Sequence, residues 1–289
     1  MPEKKRLQQF FTVKRMVVDR LATFAAGLAA LLVLAPLVAI FAYLIIKGIG
    51  SVSISFLTQA PQPVGEVGGG IGNAIVGSAM ILGVASLIGV PLGIGAGIYL
   101  AEYGRGRLAY LVRFVADVLN GVPSIVIGIA VYALIVVKQK HFSAFSGGVG
   151  LGIMMIPVIT RATEQMLLMV PRSVREASLG LGISQWRTVL SVTLRTASAG
   201  VITGVMLAFA RVAGETAPLL FTAFGNQFWS FRLDQPIAAL PLQIFIYAIS
   251  PYEEWHQAAW AGALILIALI VGVVFVVRLT NRRTIKGAA

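Results

Sequence analysis

The chain has no cysteine and only two histidines, and charged residues fill just 12% of its 289 positions. The first absence excludes disulfides and thiolate metal sites. The second leaves His141 and His256, far apart in sequence and each placed in a connecting loop. Surface histidines are the better reading of that pair than a zinc site. Soluble domains carry about 25% charged residues, so this chain is too poor in charge to be one. A Gly-Lys-Ser/Thr phosphate loop, an HExxH helix, a Ser/His/Asp set and paired carboxylates at metal spacing are all missing. No enzyme activity and no bound cofactor are therefore expected of this chain. Any energy for its work must come from a partner or an ion gradient. No internal repeat of about 20–50 residues is evident, nor any low-complexity tract beyond the basic N-terminus.

What the chain does have is apolar length: 58% of its residues are hydrophobic and its mean hydropathy is +0.89. A membrane span needs about 20 apolar residues. Six spans are predicted, at Leu21–Ile46, Ile71–Leu100, Phe114–Val137, from near Gly147 to past Ile159, at Gly200–Phe224 and at Ala258–Val277. The fourth is interrupted by Arg161 and is expected to leave the membrane as a continuous helix. The first run exceeds a signal-peptide core of about 7–15 residues, so no cleavable leader is expected. The fold class is all-α and polytopic. A basic N-terminus (1–20) precedes a single transmembrane domain (21–289), which includes a polar loop at 171–187 and a basic tail at 278–289.

The net charge of +12 would suit a nucleic-acid binder, but its placement argues against one. The basic residues sit beside the ends of the apolar runs, as topology determinants do. Eighteen fall on one side: six before the first run, Arg105, Arg107 and Arg113, then Arg161, Arg172, Arg175, Arg187 and Arg195, and four at the C-terminus. Four fall on the other, at Lys47, Lys138, Lys140 and Arg232. This asymmetry predicts cytoplasmic termini and a cytoplasmic 171–187 loop.

That loop is polar in a greasy chain. Ser173 and Glu176 have capping-box spacing behind Pro171, Gly182 suits a left-handed stop, and Ser184 suits a second cap. A helix–Gly–helix with organised ends reads as a docking element. On the other side, the aromatic-rich segment Asn226–Gln257 reads either as an interfacial belt or as a rim for an external partner.

Two polar sets lie inside the spans. Arg211 and Glu215 stand four apart, which places them on one helix face as an ion pair. Each costs about 2.5–3.5 kcal/mol at the bilayer centre on insertion scales, so they must face protein or water. Arg211 offers a planar fork of donors suited to an oxyanion, with Glu215 holding it until substrate arrives. A buried pair that fixes helix packing is the alternative. Pro218 removes a backbone donor and invites a kink near Gly214. Asp117 and Asn120 are i, i+3 neighbours before Pro123. They serve either the same path or interhelical packing, with Arg113 at i−4 as a partner for Asp117. In the second span, Gly93 and Gly97 have the small-xxx-small spacing of close helix packing.

With these residues in view, the chain resembles bacterial ABC importer permeases. Glu176-Ala-Ser-x-x-x-Gly182 resembles the family's cytoplasmic EAA loop, with Ser178 in place of the second alanine and Arg195 in place of a downstream proline. Five stretches resemble the permeases of high-affinity phosphate importers. They are Gly-Gly-Ile-Gly-Asn-Ala-Ile-Val-Gly-Ser from Gly69, Val-Pro-Leu-Gly from Val90, Ile-Tyr-Leu-Ala-Glu-Tyr from Ile98, Leu-Asn-Gly-Val-Pro-Ser-Ile-Val-Ile-Gly from Leu119, and Gly-Glu-Thr-Ala-Pro-Leu-Leu-Phe-Thr-Ala from Gly214. The resemblance implies a type I, MetI-like permease fold in the bacterial inner membrane. It implies four kinds of contact: a second, non-identical permease, two cytoplasmic subunits that hold ATP and Mg, an external phosphate-binding protein, and the surrounding lipid. It further implies that Glu176, Ala177 and Gly182 form the ATPase-coupling loop, and that Arg211 and Glu215 belong to the phosphate path. Permeases for molybdate or sulfate, and an ion-coupled secondary transporter, remain as alternatives.

Overall fold

The computed structural model describes the backbone of residues 2–63, 65–66 and 68–286, and side chains at 15–16, 18–63, 65–66 and 68–279. Among these residues the chain is almost wholly helical, with one extended bridge between Phe224 and Ile237. Five helical runs are long and apolar enough to cross a membrane: Val18–Ser51, Gly72–Tyr103, Ala144–Leu168, Gln185–Ala213 and Glu253–Leu279. They are spans one, two, four, five and six. Gly106–Gly121 and Ser124–Gln139, bent by 105°, make span three when counted as one crossing.

Span three departs from the single helix expected at Phe114–Val137. Its first arm ends at Gly121 because Val122, which precedes Pro123, is extended (φ −70°, ψ 130°). A residue before proline is disfavoured in the helical region, and proline supplies no donor. Span five also differs from the expected Gly200–Phe224. It starts at Gln185, passes through a π-helical turn at Thr188–Thr193, and ends at Ala213. A short helix, Ala217–Thr222, follows with Pro218 in its first turn, where a missing donor costs nothing. Span four is the continuous helix expected, and the Ser143 hydroxyl caps it by accepting the Ser146 N–H at 3.1 Å.

The segments between spans hold more structure than expected. The aromatic-rich segment contains the helix Leu240–Ala248 behind a buried stretch, Ile237–Ala239. His256 lies in the first turns of the last helix, not in a loop, and its Nε2 donates to the Ser250 carbonyl at 2.7 Å. At the tip of the segment, Trp229 and Phe231 stack with centroids 5.9 Å apart, beside exposed Phe228. The Arg232 guanidinium next to Asp234 holds its carboxyl below the usual carboxylate range. Both terminal segments continue helices, Pro2–Gly48 and Glu253–Lys286. The side chains of Lys4, Lys5, Arg6, Lys14, Arg282, Arg283 and Lys286 lie outside the described set.

The core forms where spans two and four run side by side. Val84 meets Gly148, Met155 meets Gly89, Ile159 meets Gly93 and Thr163 meets Gly97. Both numbers rise together, so the two helices are parallel. Each contact sets a glycine of one helix against a side chain of the other, which is how two backbones approach closely without a solvophobic drive between helices. A Cβ on Gly97 would stand 2.5 Å from the Thr163 Cβ and 2.8 Å from the Thr160 carbonyl oxygen. Span five joins the other side of span four in the same manner, with Gly200 against Met166 and Gly204 against Ala162. Near its end, span one meets span six, with Gly48 against the Trp260 carbonyl and Tyr43 edge-on to the Trp260 ring at 5.2 Å. Most of its length is exposed and apolar, as a lipid-facing helix must be.

Gly97→Val is predicted to destabilise the protein by about 1–3 kcal/mol through overpacking. Gly95→Val, on a face with nothing within 4 Å, is predicted to be near neutral. Thermal unfolding of the two variants in detergent checks the difference.

Candidate functional site

Arg211 occupies the last turn of span five, whose helix stops at Ala213. Glu215 lies beyond that end, in the irregular segment before Ala217. The expected shared helix face is therefore absent, and no ion pair joins the two among the described residues. The cause is the chain break. Gly214 ends the helix, and the Glu215 N–H donates back to the Val212 carbonyl at 3.1 Å instead of continuing the ladder. The Arg211 side chain is exposed and Glu215 is half-buried, with no side-chain partner for either among the described residues. A guanidinium at a helix C-terminus sits favourably against the negative end of the dipole. Its five donors remain open to an anion.

Asp117 and Asn120 also behave differently from expectation. Asp117 does not pair with Arg113 at i−4. It accepts two hydrogen bonds from Arg161 of span four, one from Nε at 2.8 Å and one from Nη2. Arg161 Nη1 also donates to Glu164 Oε2 at 2.8 Å. Arg113 Nε donates to the other Glu164 oxygen at 2.6 Å, and its Nη2 to the Leu100 carbonyl at 3.1 Å. Two arginines and two carboxylates thus bind the first arm of span three to span four. Glu164 is only 2% exposed and bridges both arginines. Asn120 makes no side-chain hydrogen bond among the described residues. Glu164 is absent from the sequence-based candidates, yet its signal is visible there. It is the sole acid in Ala144–Leu168 and follows Arg161 by three, and an acid in a span needs a partner or a use. Counting Arg161 as a loop residue hides that pair.

At the other polar site, the helix Arg172–Gly180 starts straight after Pro171, with no side-chain cap. Ser173 is inside the helix, so the expected capping box does not form. Gly182 does take the left-handed conformation (φ +76°) that ends the motif. Ser184 sits at the next N-cap without a side-chain bond. The buried Ser178 hydroxyl bonds Thr188 at 2.8 Å and closes the two helices on each other. Glu176 and Ala177 point to solvent. So do Leu181, 81% exposed, and Trp186, with the Arg187 guanidinium 5.1 Å from its ring. An exposed apolar knob with a polar border is a docking surface in chemical character.

Glu164→Leu is predicted to cost about 3–5 kcal/mol, because it leaves two partly buried arginines without their shared carboxylate. Asp117→Asn, at the exposed end of the network, should lower the melting temperature far less. Thermal unfolding in detergent decides, and equal effects would count against Glu164 as the hub.

Residues 89–286 match the family described as binding-protein-dependent transport system inner membrane component. The phosphate transport system permease protein PstA of Yersinia pestis is 48% identical over 226 residues, 78% of this chain and 77% of that one. The PstA of Xylella fastidiosa strain Temecula1 is 46% identical over 89% of this chain and 90% of its own. A probable PstA of Methanocaldococcus jannaschii is 33% identical over 94% and 96%. A chain in an inward-facing structure of the MetNI methionine ABC transporter superposes with a TM-score of 0.56. It is 19% identical and covers 76% of this chain and 95% of its own length. That likeness shows the fold, and the sequence relatives show the kinship. The chain belongs to the PstA family of phosphate transport system permeases.

Proposed function

We propose that the chain forms half of the translocation path of an ATP-driven phosphate importer. A second, PstC-like permease would form the other half. One of two cytoplasmic ATP-binding subunits would dock on the Glu176–Gly182 loop, and an external phosphate-binding protein would deliver substrate. Identity of 48% to a PstA over 78% of the chain is the observation that carries the reading. Arg211 gives it a chemistry. An exposed arginine at a broken helix end, within an apolar run, offers a fixed fork of donors to an oxyanion. Glu215, past the break, would repel the anion and favour its release rather than hold Arg211 in waiting. Both termini and the coupling loop would face the cytoplasm, in line with the charge asymmetry.

Orientation is checked by single cysteines in this cysteine-free chain. Gln62, His141 and Gln235 are exposed. Cysteines there should react with an impermeant thiol reagent from outside, and one at Ser184 should not.

Arg211→Lys is predicted to lower phosphate uptake and Arg211→Gln to lower it at least about tenfold, the size of one lost charge-assisted hydrogen bond. Membrane level and ATPase retention should stay unchanged. The double variant Arg211→Gln with Glu215→Gln should remain inactive, and restored uptake there would make the two residues packing partners instead. Uptake of molybdate or sulfate in place of phosphate by the wild-type complex would reassign the substrate.

A further inference from the structure

Arg175 stands beside the EAA-like residues, and its side chain turns away from the docking face. Its Nε and Nη2 both donate to Glu102 Oε1, at 3.0 and 2.8 Å. Its Nη1 donates to the Val170 carbonyl at 2.6 Å and its Nη2 also to the Leu167 carbonyl at 2.7 Å. Glu102 belongs to the π-helical turn Tyr99–Tyr103 that ends span two. Leu167 lies in the last turn of span four, and its carbonyl also accepts the Val170 N–H at 3.1 Å. One guanidinium therefore ties three segments together: span two, span four and the helix Arg172–Gly180. The pair is sheltered, with side chains 19% and 8% exposed.

That helix has nine residues, too few to hold its shape alone, since isolated helices under about 12–15 residues are marginal. Arg172, Ser173, Glu176, Ala177 and Leu179 are exposed. Its attachments are Val174 on the small cluster of Leu167, Val170, Ala197 and Val201, the Ser178–Thr188 bond, and Arg175. Ile94, Ile98 and Ala101 of span two pack on the same cluster, and Arg175 adds the polar tie to that span. Spans two and four are themselves locked by backbone-close glycine contacts up to Gly97–Thr163, a short distance from the clamp.

We infer that Arg175, with Glu102 as its counter-charge, is the positioning residue that makes the coupling helix and the span two–span four pair move as one body. A displacement of the docked helix is then carried into the transmembrane bundle rather than absorbed by the loop. This rests on the reading that the helix docks an ATPase.

The test uses the full complex of this permease, its partner permease, the ATP-binding subunits and the external binding protein, reconstituted in vesicles. Three quantities are measured on Arg175→Lys, Arg175→Gln and Glu102→Gln: ATPase retained on purification, basal ATP hydrolysis and its stimulation by the loaded binding protein, and phosphate uptake. Retention and basal hydrolysis should stay within about twofold of wild type, because the docking face is untouched. Uptake should fall at least tenfold and stimulation should vanish. Arg175→Lys should resemble Arg175→Gln, since a lysine cannot serve three acceptors from one planar fork. In the double variant Glu102→Cys with Arg175→Cys, with partners freed of reactive cysteine, a cleavable bifunctional thiol reagent should restore uptake and cleavage should remove it again. Uptake within twofold of wild type in Arg175→Gln would overturn the clamp and leave the importer reading standing. Loss of ATPase retention, or no rescue on cross-linking, would reduce Arg175 to a part of the loop's own fold and overturn it too. A wild-type complex that neither retains an ATPase nor takes up phosphate would remove the importer reading, and the clamp with it.

Discussion

Close backbone approach between spans two and four is the constraint on which the rest of the molecule depends. In a bilayer, burying an aliphatic side chain against another gains little over lipid, so helices associate through dense contact and through polar bonds. Glycines at 89, 93, 97 and 148 allow the first of these, and the parallel register follows from which side chain fills which gap. Once span four is seated on span two, its other faces are committed. Met166 and Ala162 receive span five at Gly200 and Gly204, and Arg161 and Glu164 face span three. A shift of register by one residue would turn Glu164 away from Arg113 and strand a carboxylate in the bundle.

Charge inside the bundle is handled in two contrasting ways. Around Glu164, two arginines and two carboxylates satisfy one another across two helices. Such a set gives specificity of fit, because each removal orphans a neighbour. Around Arg211 nothing of the kind is built: the carboxylate four residues on sits across a helix break, and the guanidinium stays exposed. A neutralised network holds helices together, whereas an open cation is suited to meeting a mobile anion.

Much of this was legible in the sequence, and the misses share a cause. Apolar runs identify the spans because the bilayer imposes a length, and Gly93 and Gly97 announce close packing by their spacing alone. Gly182 announces its left-handed turn because few other residues tolerate it. Helix breaks are less legible. Pro123 and Pro218 signal disruption, but whether a proline kinks a helix or ends it depends on what fills the gap around it. The Arg211–Glu215 pairing fails for that reason, since an i, i+4 rule holds only while the helix lasts. Partners distant in sequence are the least legible. Arg113 has Asp117 at i+4 and bonds Glu164 instead, 51 residues away, and Arg175 bonds Glu102 across 73. Local spacing cannot rank those choices, because the packing of spans two and four decides which charges come within reach.

The two breaks also meet. The second arm of span three, Ser124–Val131, packs on the short helix Ala217–Thr222, and a Cβ on Gly128 would stand 2.6 Å from the Pro218 Cα. Pro123 therefore turns the chain just before one contact surface, and Gly214 just before the other. Irregular backbone within apolar segments is tolerated only where protein covers it or water reaches it, since each unsatisfied group costs several kcal/mol in hydrocarbon. Gly214 is exposed and Glu215 and Thr216 are half-buried in this chain alone, so its own bundle does not cover the break. A second permease subunit facing this side would cover it, and any gap left between the two would be wet, lined by free backbone groups and by Arg211. Discontinuous helices of this kind are where transporters place their substrates. The broken geometry of spans three and five is thus in keeping with the proposed anion path between this chain and its partner permease.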